Sequence, residues 1–117
     1  MSHEATLRAV YDALNSKDTG RIKDVLTDDA VFHILPNPLL PATTLTGKDE
    51  ILSFIAEQIG DLDVQQEIDQ IAVNGDFAVV FVRSESKDET GAPLSIRWAD
   101  AFRFEGDRIR EHVSLSG

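Results

Sequence analysis

From Ser95 to Phe104 the sequence reads Ser-Ile-Arg-Trp-Ala-Asp-Ala-Phe-Arg-Phe. In a strand, residues two apart share a face. Ile96, Trp98, Asp100, Phe102 and Phe104 therefore form one row, with a single carboxylate among apolar and aromatic side chains. Burying a carboxylate is costly unless it is paired, protonated or used, so Asp100 is the first candidate for acid–base chemistry. Apolar surroundings predict a raised pKa for it. Two histidines could partner it, because imidazole exchanges protons near neutral pH. They are His112, with Ser114 on its face, and His33, beside Ile34. Trp98 is either a pocket wall that stacks on a flat ligand or part of the core, and a buried Tyr11 would need a partner for its hydroxyl. Asp100, His33 and His112 have no short-range ligand spacing, so neither a metal nor a cofactor is expected.

Which way the histidines face is open. Simple alternation sets His33 against Phe32 and Ile34, so only one of these sets faces a pocket. It likewise sets His112 against Ile109, Glu111, Val113 and Leu115. A bulge after Ile109 would turn His112 toward the apolar side.

The elements that must position these groups can be read in order. Leu7, Val10, Tyr11 and Leu14 recur at helical spacing, which predicts a helix over 4–16, with Ser2 as its cap. Asp18 or Thr19 caps a second short helix carrying Ile22, Val25 and Leu26. Asp28-Asp29 marks a turn, and residues 30–35 form a short strand. Pro36, Pro38 and Pro41 predict an irregular, stiff loop over 36–46. Thr46 and Asp49 sit as a capping box for a third helix bearing Ile51, Phe54, Ile55 and Ile59, which Gly60 ends.

After Gly60 the period changes to two. A strand over 64–73 meets Asn74-Gly75, a strong hairpin signal. The next strand, 77–87, is apolar on both faces, as a central strand covered on both sides would be. Asp88–Gly91 turns into the Asp100 strand, Glu105-Gly106-Asp107 turns again, and 108–115 is the last strand. Helices first and strands after predict an α+β fold. About five strands form a curved antiparallel or mixed sheet around three N-terminal helices, with a ligand-sized hollow between the layers.

The 117 residues suit one domain, 1–117. Eleven Lys and Arg against 21 Asp and Glu give a net charge of −10. No basic cluster offers a nucleic-acid or anionic-membrane surface. There is no cysteine, hence no disulfide or thiolate chemistry. Neither a signal-peptide pattern nor a membrane-length apolar run is seen, and a cytoplasmic location is expected by default.

Several stretches together resemble the SnoaL-like proteins of the nuclear transport factor 2-like superfamily. They are Leu7 to Asn15 with Lys17-Asp18, Leu26 to Phe32, Thr46 to Ile51, and Asp100 to Ile109. The resemblance spans about residues 5–115 and implies an α+β cone. It is similar to ketosteroid isomerase at Asp100, which takes the place of the oxyanion-stabilising acid; the resemblance implies a carboxylic acid kept neutral by apolar surroundings so that it donates a hydrogen bond. The isomerase's general base falls at Ile34 and its Tyr donor at Val10. Tyr11 lies one residue, about 100° around the helix, from that donor. His112 falls at a pocket-lining position. Limonene epoxide hydrolase resembles the chain similarly, but Arg97 lies on the opposite strand face from Asp100, and Glu111 or His112 stands at its second acid. The polyketide cyclases lean on one acid–base Asp, a role open to Asp100. His33 to Pro38 resembles a subset with His before a Pro-rich loop. The resemblance also implies a homodimer through Arg97, Ala99, Ala101 and Arg103.

The expected function is binding of a small, largely apolar organic molecule. Cofactor-free isomerase, cyclase or hydrolase chemistry would centre on Asp100, His112 and His33, with Tyr11, Trp98, Phe102, Ile34 and Ser114 as ligand contacts. The alternatives are a non-catalytic ligand- or partner-binding domain, or a structural dimer with a filled hollow.

Overall fold

A computed structural model describes residues 2–34, 42–59, 65–87 and 90–116. Helix α1, His3–Ser16, starts at Ser2, whose Oγ accepts from the Ala5 amide at 3.1 Å. Its apolar stripe buries Leu7, Val10 and Tyr11. Lys17 ends it in the left-handed region, and the Lys17 and Asp18 amides close the last turn on Leu14 and Ala13. Helix α2, Gly20–Lys23, is a single turn with Ile22 buried. It stops before Val25 and Leu26, which the sequence had assigned to it.

Strand β1 runs from Leu26 to Ile34. Asp28 and Asp29 lie inside it, both exposed, and make no turn. Its register against the last strand shifts between Leu26 and Val31, so the acidic pair occupies a bulge. Strand β2, Thr43–Thr46, pairs antiparallel with β1. Three β-branched threonines favour that pairing, and so the end of the expected loop is a strand. The prolines of that loop lie outside the described residues. Thr46 belongs to β2, so the expected capping box does not form: the N-cap of α3 (Lys48–Phe54) is Gly47, φ 94°, without a side-chain cap. A π-helical turn, Ile55–Ile59, follows; its expected stop at Gly60 lies outside the described residues.

Strands β3 (Gln65–Asn74), β4 (Phe77–Lys87), β5 (Pro93–Glu105) and β6 (Arg108–Ser116) form the meander. Gly75 and Gly106, both at φ 61°, make two of its turns. Among the described residues the sheet has six strands in the order β2-β1-β6-β5-β4-β3, one more than the sequence suggested. It is mixed, because β1 and β6 run parallel while the other pairs are antiparallel.

Further register shifts occur in β3 between Ile68 and Gln70, and in the β5–β6 pair between Phe104 and Arg103. Each inserts a residue and bends its strand. The first explains how Ile68 and Ile71, three apart, both pack against the core. The bent sheet holds α1 and α3 against one face. Leu7, Ile22, Leu26, Ile51, Val80, Val82 and Ile109 are fully buried between the layers. Truncating any of the larger ones to Ala would destabilise by about 2–5 kcal/mol.

The other face of β4 is open. Phe77 is 52% exposed and Phe81 47%. This departs from the expected central strand: β4 is next to an edge, and within this chain only its inner face is covered.

Candidate functional site

Cross-strand register builds the site. Asp100 on β5 pairs with Ser114 on β6 and Val80 on β4, and Phe102 pairs with His112. On β1, Phe32 pairs with His112 and Ile34 with Ser114. Paired residues share a face, so two rows cross the inner surface: Phe32, His112 and Phe102, then Ile34, Ser114 and Asp100.

His112 reaches that surface through a bulge. Ile109 pairs with Phe104 and Glu111 with Arg103, which leaves Arg110 as the extra residue. Ile109 and His112, three apart, are both buried. The bulge after Ile109 that would reconcile the pattern is therefore present.

Asp100 is 4% exposed and surrounded by donors. The Tyr11 hydroxyl and Trp98 Nε1 (3.1 Å) donate to Oδ2, while His112 Nε2 lies 3.0 Å from Oδ1. Ser114 adds a further side-chain hydrogen bond. Burial raises the Asp100 pKa, but the positive charge available on His112 and the hydrogen bonds from His112, Tyr11 and Ser114 outweigh it. The carboxyl is held below its usual range. This corrects the expected neutral, proton-donating acid: the row is apolar along β5, yet α1 and β6 bring donors to it from outside the row. Asp100 is an ionised acceptor. Burial, then the neighbouring charge and hydrogen bond of Asp100, push the Tyr11 hydroxyl well above its usual pKa, so it remains a neutral donor.

Tyr11 is therefore part of the group, despite its one-residue offset from the isomerase position; the phenol bridges from α1 to Oδ2. Trp98 contributes a donor as well as a ring, which follows from its place two residues before Asp100 on one strand face. The imidazole of His112 packs against Phe32 (centroids 4.6 Å, 57°) and Phe102 (4.7 Å, 30°). Phe32 is absent from the sequence-based candidates, although sharing a face with Ile34 could have found it. Ile34 is buried beside Ser114.

His33 is not brought to this group. It pairs with Val113 and Thr44, one residue out of step with Phe32 and Ile34. It therefore lies on the outer face, where Nε2 stands 3.7 Å from Glu111. Strict alternation in this part of β1 keeps it off the inner face that carries Phe32 and Ile34. Among the described residues, no three His, Asp or Glu side chains stand together as a metal set. No helix among them is long and apolar enough to cross a membrane.

Arg97 and Arg103 flank the outer face of β5, with Ala99 and Ala101 half-buried between them. Arg103 stacks 4.4 Å from the Phe77 ring centroid and lies 3.5 Å from Glu111.

This architecture recurs in solved structures. An NTF2-like protein of unknown function from Burkholderia pseudomallei superposes with a TM-score of 0.85 at 21% identity, covering 100% of this chain and 92% of its own. IdmH from Streptomyces antibioticus, a candidate polyketide cyclase, gives 0.82 at 20% identity, covering 99% and 92%. TerC, co-crystallised with polyporic acid, gives 0.82 at 17% identity, covering 98% and 91%. At these identities the likeness establishes the fold, an NTF2-like α+β cone. No curated protein matches the sequence. The sequence pattern of the SnoaL-like domain does, over residues 7–112, which include Tyr11, Trp98, Asp100 and His112. With nearly the whole chain matched, this protein belongs to the SnoaL-like domain family.

Proposed function

We propose that the chain binds a small, largely apolar organic molecule in the hollow of the cone and performs cofactor-free acid–base chemistry on it at the Asp100 cluster. The observation that carries this reading is an ionised carboxylate held by four side-chain donors inside an apolar layer. Such a group is expensive to bury, and an apolar residue of similar size would pack there at less cost. Perturbed, densely hydrogen-bonded groups in a concave apolar setting mark functional sites. The candidate cyclase IdmH and the polyporic acid bound to TerC are in keeping with it. The reaction classes open to the group are proton transfer beside a carbonyl, cyclisation and water addition.

The test is a screen of cyclic ketones, conjugated carbonyl compounds and epoxides, read by turnover and by perturbation of the Trp98 indole resonance. A true substrate should lose about 10²–10⁴-fold in turnover with Asp100→Asn, the range for a lost acid–base contribution. Compounds that perturb Trp98 but never turn over would leave a non-catalytic binding domain. A screen in which nothing perturbs Trp98 would refute the pocket.

One observation supports self-association as well. Phe77, Phe81, Val79, Ala99 and Ala101 make an apolar outer face rimmed by Arg97 and Arg103. Exposed aromatic area of this kind marks contact surfaces. We propose a homodimer through this face. Arg97→Glu with Arg103→Glu should weaken it in sedimentation; an unchanged mass would remove it.

A further inference from the structure

A carboxylate offers about four lone-pair sites. At Asp100 the protein's own donors take them: Tyr11 and Trp98 on Oδ2, His112 on Oδ1, and Ser114 in addition. No acceptor position is left for a ligand's proton, and protonating Asp100 would break bonds the fold already makes. His112 is the reverse case. An ionised carboxylate only accepts, so Nε2 must carry hydrogen. In the neutral ring the lone pair then sits on Nδ1. Nδ1 is buried and has no hydrogen-bond partner among the described residues. The ring lies between Phe32 and Phe102, and turning it to find one would break the bond to Asp100. Buried acceptors are ordinarily paired, and here the fold holds one bare.

Resting on the reading above, we infer that His112, through Nδ1, is the group that exchanges a proton with the molecule in the cone. Asp100 is the residue that positions it, and the molecule is a flat aromatic or conjugated compound presenting an acidic O–H or a C–H beside a carbonyl. For a carbon acid, the C–H electron pair moves into the carbonyl to give an enolate, and the proton passes to Nδ1. The imidazolium keeps its Nε2 hydrogen on Asp100 Oδ1, which offsets the new positive charge. Return of the Nδ1 proton to another carbon or to oxygen completes the transfer, with no oxidant or reductant required. Flatness follows from the aromatic side chains around the nitrogen. Phe32, the more exposed of the two rings against His112, is the one that yields to admit the ligand.

The experiment uses the full chain, labelled with ¹⁵N-histidine, at pH 8. The probe is 2-naphthol, flat with one acidic O–H, and its methyl ether is the control. The free protein should show His112 with Nε2 protonated and Nδ1 bare. 2-Naphthol should move Nδ1 toward its protonated shift, and the ether should bind about tenfold more weakly and leave Nδ1 unmoved, the effect of one lost buried hydrogen bond. His112→Phe should equalise the two affinities. Asp100→Asn should spread the His112 proton over both nitrogens, which a merely structural carboxylate elsewhere in the core would not do. Equal binding of naphthol and ether to the wild type, with Nδ1 unmoved and Trp98 perturbed, overturns the role of His112 and leaves the pocket standing. A protonated Nδ1 in the free protein also overturns it. If neither probe perturbs Trp98, this inference falls together with the flat-ligand class, while a ketone or epoxide response in the wider screen would still preserve the pocket.

Discussion

Tyr11→Phe removes one oxygen and tests the electrostatic description of Asp100. The phenol is buried and donates to Oδ2. Phe keeps the ring and its edge contact with Phe102, 6.4 Å between centroids, so the loss is confined to the hydroxyl. A hydrogen bond to a charged group contributes about 1.5–3 kcal/mol, and we expect a loss near the middle, about 2 kcal/mol. With about 2.1 cal/mol/K of unfolding entropy per residue and 117 residues, that lowers Tm by about 8 °C. The coupling can be isolated by a double-mutant cycle of Tyr11→Phe and Asp100→Asn, followed by urea unfolding at pH 7. The pH dependence gives an independent reading. Asp100 has a depressed folded pKa. Its stabilisation is therefore complete above the unfolded value of about 3.9 and lost as pH falls through the lower folded value. Removing the Tyr11 donor raises the folded value toward the ordinary one. The wild-type advantage over the variant should be full at pH 7, shrink as pH falls through the variant's folded value, and be lost by the lower wild-type one. A coupling under about 0.5 kcal/mol, or an advantage that grows on acidification, would refute the picture of an ionised, donor-held carboxylate.

On the alkaline side Tyr11 itself is the sensor. Its folded pKa lies well above 10.0, so its contribution is complete below the unfolded pKa of about 10 and is lost as pH rises toward the folded value. Urea unfolding between pH 9 and 11 should show an alkaline loss in the wild type that Tyr11→Phe lacks. Deleting Arg110 removes the bulge and turns either Ile109 or His112 out of the core. We expect a loss of about 3–5 kcal/mol as Asp100 is left short of a partner; wild-type thermal stability would show that the bulge does not aim His112. Asn15→Ala removes two hydrogen bonds to the Gln66 backbone, at 2.8 and 2.7 Å. It should cost about 1–3 kcal/mol in urea unfolding and speed amide exchange at Gln66, whereas unchanged exchange would place the Gln66 protection elsewhere.

The period-two pattern after Gly60, with Asn74-Gly75 and Gly106 at the turns, made the meander legible, because hairpin chemistry is local. The stripe of α1 was legible for the same reason. What a sequence pattern conceals is pairing at a distance. The parallel β1–β6 contact joins residues some eighty positions apart and leaves no local trace. It explains why Asp28-Asp29 read as a turn; Thr43–Thr46 read as loop because its partner, β1, lies across the proline-rich stretch of the sequence. The site divides similarly. Asp100 stood out because its own strand face is apolar. Its ionisation did not, since Tyr11 and His112 arrive from other elements and reverse the effect of burial. His112 was legible only conditionally, because one inserted residue decides its face. His33 drew attention by its type, yet register places it outside.

The Asn15 contact has a consequence for how the molecule meets copies of itself. β3 is an edge of the sheet, and an edge offers bare amides and carbonyls to any strand that drifts alongside. Asn15 fills one such pair at Gln66 with its own side-chain amide, imitating an incoming strand. Three residues on, the bulge at Asp69 breaks the flat register that an added strand would need, and Asp69 and Glu67 hold Arg83 across the surface. The opposite edge, β2, is only four residues long. The sheet is thus blunted against end-to-end growth into fibrils, while its outer face remains free to meet a partner broadside.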